Sequence, residues 1–443
     1  MNPSDAKPPS ENDRHFADRV SGGDFEFHNP VRLVHGAGAI DQLGQWARQT
    51  IVDRTAKETR VLLVSDPDLL SVGHPERGQT SLENAGMSVK LFSDFGENPD
   101  ADMVRRGVAA AAEFDPHLIV AIGGGSSMDC AKAIDLAYCC GGDITDYRGH
   151  HNATADLLPI IVAPTTAGTG SEVQSFAIIA DDKTHLKMPV GDPQMMPKIA
   201  ILDPELTRSQ PPRVAALTGI DALSHAVEAY VTKDRNAMSI TLARQAFALL
   251  VDAMPTMLDR PDDLSARRDM QIGATLAGMA IEASMLGAAH ATANPLTAEH
   301  DVPHGQAVAI TLPQVVRLNG TKCARWYDEL CRELPDRHPS KNDTHPNDDT
   351  RFGVDTHADD RHRRYDPADA PERLAHHLEW LVRRAGLANH LDELSIDGSR
   401  IDRWVDAALP QWTGTFNPVE LNRDIIHGLY RRMLQPEPQR DPS

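Results

Sequence analysis

Apolar residues along the first two hundred positions recur in short runs separated by longer amphipathic stretches, the rhythm of an α/β fold. FEFHNPVRLVHG supplies short strands, Ala39 to Gln49 a helix, and RVLLVSD a β-run that ends at Asp66. A helix around Leu82 follows, then the strand SVKLF, the turn GENPD and a helix from Ala101 to Glu113. HLIVAI is a further strand, leading through glycines into a helix from Ser126 to about Tyr138. LPIIVAPTT and IAILDP add two more apolar β-runs, and the alternation stops near Asp203-Pro204. From Pro211 onward the apolar spacing becomes helical, in VAALTGIDALSHAVEAYV, ITLARQAFALLVDAM and MQIGATLAGMAIEASML. The pattern predicts an α/β domain over residues 25–207 and an all-helical one over 208–436, with a disordered tail at 1–24. Residues 335–371 break the helical pattern: they are nearly devoid of large aliphatics and dense in Asp, His, Arg and Pro. That composition predicts a solvated polar insertion with no share in the site, and four histidines at 338, 345, 357 and 362 raise metal storage as the alternative.

The composition narrows the function classes. Lysine and arginine number 44 against 64 acidic residues, a formal charge of −20 over 443 residues. Phosphate binding along a nucleic acid needs clustered positive charge, so neither nucleic acid nor an anionic membrane surface is the expected partner. No run reaches the ~18 apolar residues of a membrane helix, and the first 25 residues lack a signal-peptide core, so the expected compartment is the cytoplasm. Five cysteines, two of them adjacent at Cys139 and Cys140, read as reduced thiols.

Three loops of the α/β half carry candidate chemistry. Gly123-Gly124-Gly125-Ser126 follows a strand and opens a helix, where glycines let a pyrophosphate approach free N–H groups at the positive end of the helix dipole. An ordinary tight βα turn has the same look, and the motif is neither a Walker loop nor the GxGxxG fingerprint. Asp66, at the end of an earlier strand, can accept from ribose hydroxyls and repel a 2′-phosphate, which favours NAD over NADP; a helix N-cap is its other reading. APTTAGTGSE offers Thr165, Thr166, Thr169 and Ser171 to line a phosphate or adenine pocket.

The helical half offers metal ligands. Asp221 and His225 stand four apart in GIDALSHAVEAY, on one helix face. SMLGAAH is expected to end a helix at His290, and His304 precedes a glycine in VPHGQAVAITLP. One carboxylate and three imidazoles suit a divalent first-row ion such as iron(II) or zinc, able to polarise an alcohol or carbonyl oxygen.

GGGSSMDCAKAID, APTTAGTGSE, GIDALSHAVEAY and HATANPLTAEHDVPHG together resemble the successive motifs of the iron-containing (group III) alcohol dehydrogenases. The resemblance runs from about Phe25 through FNPVELNRDI, leaving out only the tail and the polar insertion. It implies a Rossmann-like nucleotide domain followed by a helical metal domain, the architecture shared with dehydroquinate synthase. It implies a metal at Asp221, His225, His290 and His304, iron(II) with zinc as the alternative, and NAD at Asp66, Asn98, Gly124, Gly125, Ser126, Asp129, the APTTAGTGS hydroxyls and Lys187. The implied activity is reversible hydride transfer between a small alcohol and its aldehyde or ketone, in a homo-oligomer, expected to be a dimer. The alternatives are a metal- and NAD-dependent lyase of the dehydroquinate synthase kind, or a nucleotide-binding relative that has lost catalysis.

One position departs from the family pattern. Many members carry a second histidine four residues after the third ligand, where this chain has Asn294, and that histidine helps to move protons. An amide cannot act as an acid or base near neutral pH. His300 and Asp301, expected in a loop before the His304 turn, are the candidate substitute, against the reading of His300 as a solvent-facing histidine.

Overall fold

The structure is a computed structural model, and it describes residues 24–51, 58–183, 187–335 and 366–434. The expected N-terminal tail and most of the polar insertion, with its four histidines, lie outside the described residues. Where the insertion was expected to end, Ala370 and Pro371 instead open a helix and are buried, Pro371 packing close to Gly320.

The first half is built on a six-stranded sheet whose strands are β1 (Arg32–His35), β2 (Thr59–Ser65), β3 (Met87–Phe92), β4 (Leu118–Gly123), β6 (Ile160–Pro164) and β9 (Ile199–Leu202). The order is β1-β9-β6-β4-β2-β3 and every pairing is parallel. β4 and β6 are buried at every position, as the continuous apolar runs IVAI and IIVA require of strands covered on both faces. Around the sheet lie α1 (Leu43–Thr50), α2 (His74–Asn84), α3 (Ala101–Phe114) and α4 (Gly125–Cys140). The expected helix from Ala39 begins instead as a 3₁₀ turn over Ala39–Gln42, and the expected strand in FEFH is not formed. A second sheet of β5 (Gly149–His150), β7 (Phe176–Ala180) and β8 (Lys187–Gly191) has the order β5-β8-β7 and leans on α4.

β9 ends at Leu202 and the first long helix begins at Pro212. The second half comprises α5 (Pro212–Val231), α6 (Ala237–Asp259), α7 (Leu264–Ser284), α8 (Ala288–His300), α9 (His304–Cys331), α10 (Ala370–Arg384), α11 (Ile401–Ala408) and α12 (Arg423–Leu434). By length and apolar composition α6 would suffice to cross a membrane. Here it packs on α5 and α7, with Phe247, Leu250 and Val251 fully buried in one core.

α7 ties the two halves together with polar contacts at helical spacing. Gln271 donates to the carbonyl of Pro164, Thr275 to the Glu172 carboxylate, and Glu282 accepts from both the N–H and the hydroxyl of Ser175. Between them Gly170 and Gly278 meet backbone to backbone, and a Cβ on Gly278 would lie 2.7 Å from the Gly170 Cα. The loop between β6 and β7 is thereby fixed to the helical half.

Candidate active site

β2 and β4 are neighbours, but the chain leaves them in opposite directions, β3 lying beyond β2 and β6 beyond β4. A crevice opens at such a switch point beyond the carboxyl ends of the strands. Asp66 follows β2 and the glycine turn follows β4, so both stand at its edge.

The glycine turn forms the first turn of α4, whose N-cap, Gly124, leaves the helix without a side-chain cap. Its first N–H groups and dipole therefore suit an anion. Glycine is required here by close approach: a Cβ on Gly125 would lie 2.7 Å from Thr169 Cγ2, and one on Gly124 3.1 Å from Thr166 Cγ2. The glycine and threonine loops thus form one cradle, with the Thr166 hydroxyl buried and without a hydrogen-bond partner. Valine at Gly125 should part these loops and weaken NAD binding about tenfold or more, read by fluorescence titration with NADH. Unchanged affinity would show that the cradle does not hold the cofactor.

The other candidate cofactor residues fall around this cradle. Asp66 accepts from the N–H of Asp68 at 2.8 Å, so the N-cap geometry is realised, and its own N–H donates to the Ser127 hydroxyl. One carboxylate oxygen remains available for a ribose. Asn98 takes up positive φ on an exposed turn and donates its N–H to the Ser126 hydroxyl. Thr165 is buried, and its N–H donates to the Gly123 carbonyl. Asp129 and Ser171 are engaged with each other at 2.6 Å, and the second Asp129 oxygen accepts from the N–H of Ile178. Beneath them the buried Lys132 ammonium donates to the Ser171 carbonyl and hydroxyl and to the carbonyls of Gln174 and Phe176, all at 2.6–3.0 Å. Burial lowers Lys132 to about 8, with Asp129 opposing the shift. Lys132→Met would strand these acceptors and should cost about 3 kcal/mol of stability in a denaturant titration. A loss under half a kcal/mol would show that the brace is dispensable.

Lys187 is the first residue of β8. Burial of its ammonium lowers its pKa, against the fields of Asp221 and Asp129.

Asp221 and His225 project from one face of α5, as their spacing predicts. His290 does not end a helix: α7 stops at Ser284, Met285 adopts φ 67, and His290 lies in the first turn of α8. His304 is the first residue of α9. Asp221, His290 and His304 bring ligand atoms within 4.8 Å of one another, and His225 joins them through Asp221. His225 Nε2 is 3.6 Å from Asp221 Oδ1, and the Nε2 atoms of His290 and His304 are each 3.7 Å from the same oxygen. Donors around a tetrahedral ion with bonds of ~2.1 Å are separated by about 3.5 Å. Asp221 Oδ1 and His290 Nε2 are buried without hydrogen-bond partners. Two orphaned donors facing one point are what a metal would satisfy, so the residues fit an ion.

The electrostatics agree. Burial would raise the Asp221 carboxyl, but the three histidines hold it well below the usual carboxylate range. Burial lowers His225, and it lowers His304 to about 3 against the pull of Asp221, so both imidazoles present lone pairs. For His290, burial is outweighed by Glu228 and Asp221, which raise it to about 9, so this imidazole holds a proton near neutral pH that an ion would have to displace.

Glu228 is the residue that sequence reasoning missed. Its carboxylate takes His290 Nδ1 at 2.5 Å and the Ala289 N–H at 2.7 Å, fixing the tautomer that turns Nε2 to the metal position. Its signal was available: Glu228 stands seven residues after Asp221 and three after His225, on the same face of α5.

The proposed proton route finds different surroundings. His300 is not in a loop but at the end of α8, which continues through Pro295, and its ring packs edge-on against Trp404. Asn294, one turn beyond His290, donates to the Gln411 side chain at 3.0 Å.

Residues 30–204 match the profile described as iron-containing alcohol dehydrogenase, and residues 215–353 the one described as Fe-containing alcohol dehydrogenase family, C-terminal. The chain is 31% identical to alcohol dehydrogenase 4 of Schizosaccharomyces pombe, over 92% of this chain and 89% of that protein. It is 35% identical to the NAD-dependent methanol dehydrogenase of Bacillus methanolicus, over 66% of this chain and 75% of that one. The crystal structure of a 1,3-propanediol oxidoreductase superposes with a TM-score of 0.83 at 29% identity, covering 93% of this chain and all of that one. Such relatives do not favour the lyase or the silent scaffold. Two profiles in order and a relative matched almost end to end agree with the metal geometry: the chain belongs to the iron-containing alcohol dehydrogenase family.

Proposed function

We propose that this chain interconverts a small alcohol and its aldehyde or ketone, with NAD as the redox partner and iron(II) held by Asp221, His225, His290 and His304. Family membership makes it an NAD-linked, metal-dependent alcohol dehydrogenase; the choice of ion, the cofactor contacts and the residue roles are our reading. The observation that carries it is the convergence of three imidazole nitrogens, at 3.6–3.7 Å, on one orphaned carboxylate oxygen. When bound, the ion supplies Lewis-acid polarisation of the alcohol oxygen, and NAD accepts the hydride.

The chain's own residues do the rest. Glu228 keeps His290 in the ligating tautomer, and the uncapped turn of α4 with the Thr166 hydroxyl binds the pyrophosphate. Asp66 would hold the adenosine ribose through its remaining oxygen, and Lys187, which feels the fields of Asp129 and Asp221, would steady the nicotinamide side of the cofactor. Asn294, bonded to Gln411, does not carry a proton, so that task falls to another group or to water. We read 25–207 and 208–436 as the two domains, and the working form as a cytoplasmic homodimer; the cysteines among the described residues, all free thiols, accord with a reducing compartment.

Formation of NADH from a panel of short alcohols by anaerobically purified, iron-loaded protein tests the reading; no turnover in either direction would overturn it. Within it, Asp66→Gly should raise the NADP/NAD ratio of kcat/KM by about tenfold. A wild type that already prefers NADP would contradict the role of Asp66.

A further inference from the structure

The α/β half and the helical half meet through a pair of aromatic rings. Phe176, the first residue of β7, and Trp412, from the 3₁₀ turn Trp412–Phe416, approach to 6.0 Å between centroids at 30°. His150 also stacks on Phe176, at 4.8 Å between centroids. Ile178 lies two residues along β7 on the same face, and it and Trp412 are each 39% exposed, unusual for large apolar side chains outside an interface or a ligand site.

Both rings are tied to the reacting groups by short structural links. On the α/β side, the Phe176 carbonyl accepts from Lys132, the Ile178 N–H donates to Asp129, and Ser175 is clamped by Glu282 of α7. On the helical side, Asn294, one turn from the ligand His290, holds Gln411 next to Trp412. Gly414 of the same turn sits against Ala291, where a Cβ would come within 3.3 Å of the Ala291 Cβ. Asn294 therefore has a structural task that explains an amide at this position: it fixes the segment that carries Trp412.

We propose that Phe176, Ile178 and Trp412 form the apolar wall that receives the carbon chain of the alcohol, so that the preferred substrates are monohydric aliphatic alcohols of several carbons. The proposal rests on the alcohol dehydrogenase reading above and adds the substrate class. The faces of these side chains offer no hydrogen bond; only the edge of the Trp412 indole and the neighbouring His150 do, so a second hydroxyl over the wall would lose its water without a replacement. Each added methylene instead gains contact with the wall.

The test is the steady-state rate of NADH formation by the metal-loaded enzyme with ethanol, 1-butanol, 1-hexanol and 1,3-propanediol. The wild type should favour 1-butanol over the similarly sized 1,3-propanediol by about tenfold in kcat/KM. Trp412→Ala should raise KM for 1-hexanol about tenfold while leaving KM for ethanol within about twofold and metal content unchanged. Phe176→Asn should bring the butanol/propanediol ratio close to one, and Trp412→Phe should retain the wild-type order. A wild type that prefers the diol overturns the wall, as does a Trp412→Ala variant whose KM rises equally for ethanol and 1-hexanol. Absence of turnover with every alcohol would instead bring down the parent reading and the wall with it.

Discussion

Alanine in place of His290 strips the metal from the purified protein, lowers alcohol oxidation by about a thousandfold or more, and leaves NAD affinity within about twofold. The size of the effect follows from the geometry. His290 supplies one of three nitrogens packed at 3.6–3.7 Å around Asp221 Oδ1, and it alone is oriented by a second buried carboxylate. Removing it leaves Glu228 without its imidazole and Asp221 with two histidines, too few donors to compete with water for a divalent ion. The cofactor cradle is built from the first halves of the two α/β loops, after β4 and β6, and contains no part of α8. Metal analysis by mass spectrometry beside an NADH titration separates the two sites. Wild-type metal content in the variant would remove His290 from the ligand set.

Glu228→Gln should weaken metal affinity by ten- to a hundredfold with all four ligands intact. The carboxylate accepts two hydrogen bonds, one from His290 Nδ1 and one from the Ala289 N–H. An amide can accept with its oxygen but must turn its NH₂ toward the other donor, so one of the pair is lost. The ring then loses both its fixed tautomer and the negative partner that strengthens Nε2 as a donor. Release to a chelator, followed over time, reads this directly, with circular dichroism to confirm the fold. Unchanged release would mean that packing alone orients His290.

The sequence made the α/β rhythm legible because its buried parallel strands are unbroken apolar runs between amphipathic helices, as in β4 and β6. The small sheet escaped notice. β5 has two residues, β8 contains Pro189, and β7 alternates buried with half-buried or exposed positions over only five residues. Asp221 and His225 were readable because an i, i+4 pair on a helix must share a face. The apolar pattern before His290 does not mark where its helix stops. The chain in fact breaks earlier, at Met285, and α8 accommodates Pro295 in its interior. Glu228 was hidden for a different reason: its role depends on a residue 62 positions away, and no local pattern pairs them. Asn294 is the same case in reverse, visible as a departure from the family pattern but given a task only by Gln411, 117 positions on.

The central claim is that this fold holds one catalytic divalent ion at Asp221, His225, His290 and His304. Metal content and alcohol-dependent NADH formation, measured on one anaerobically purified sample before and after chelation, test it most directly. The account predicts about one ion per chain, loss of activity in step with metal removal, and recovery on adding iron(II). Undiminished alcohol oxidation by protein stripped of metal would contradict it.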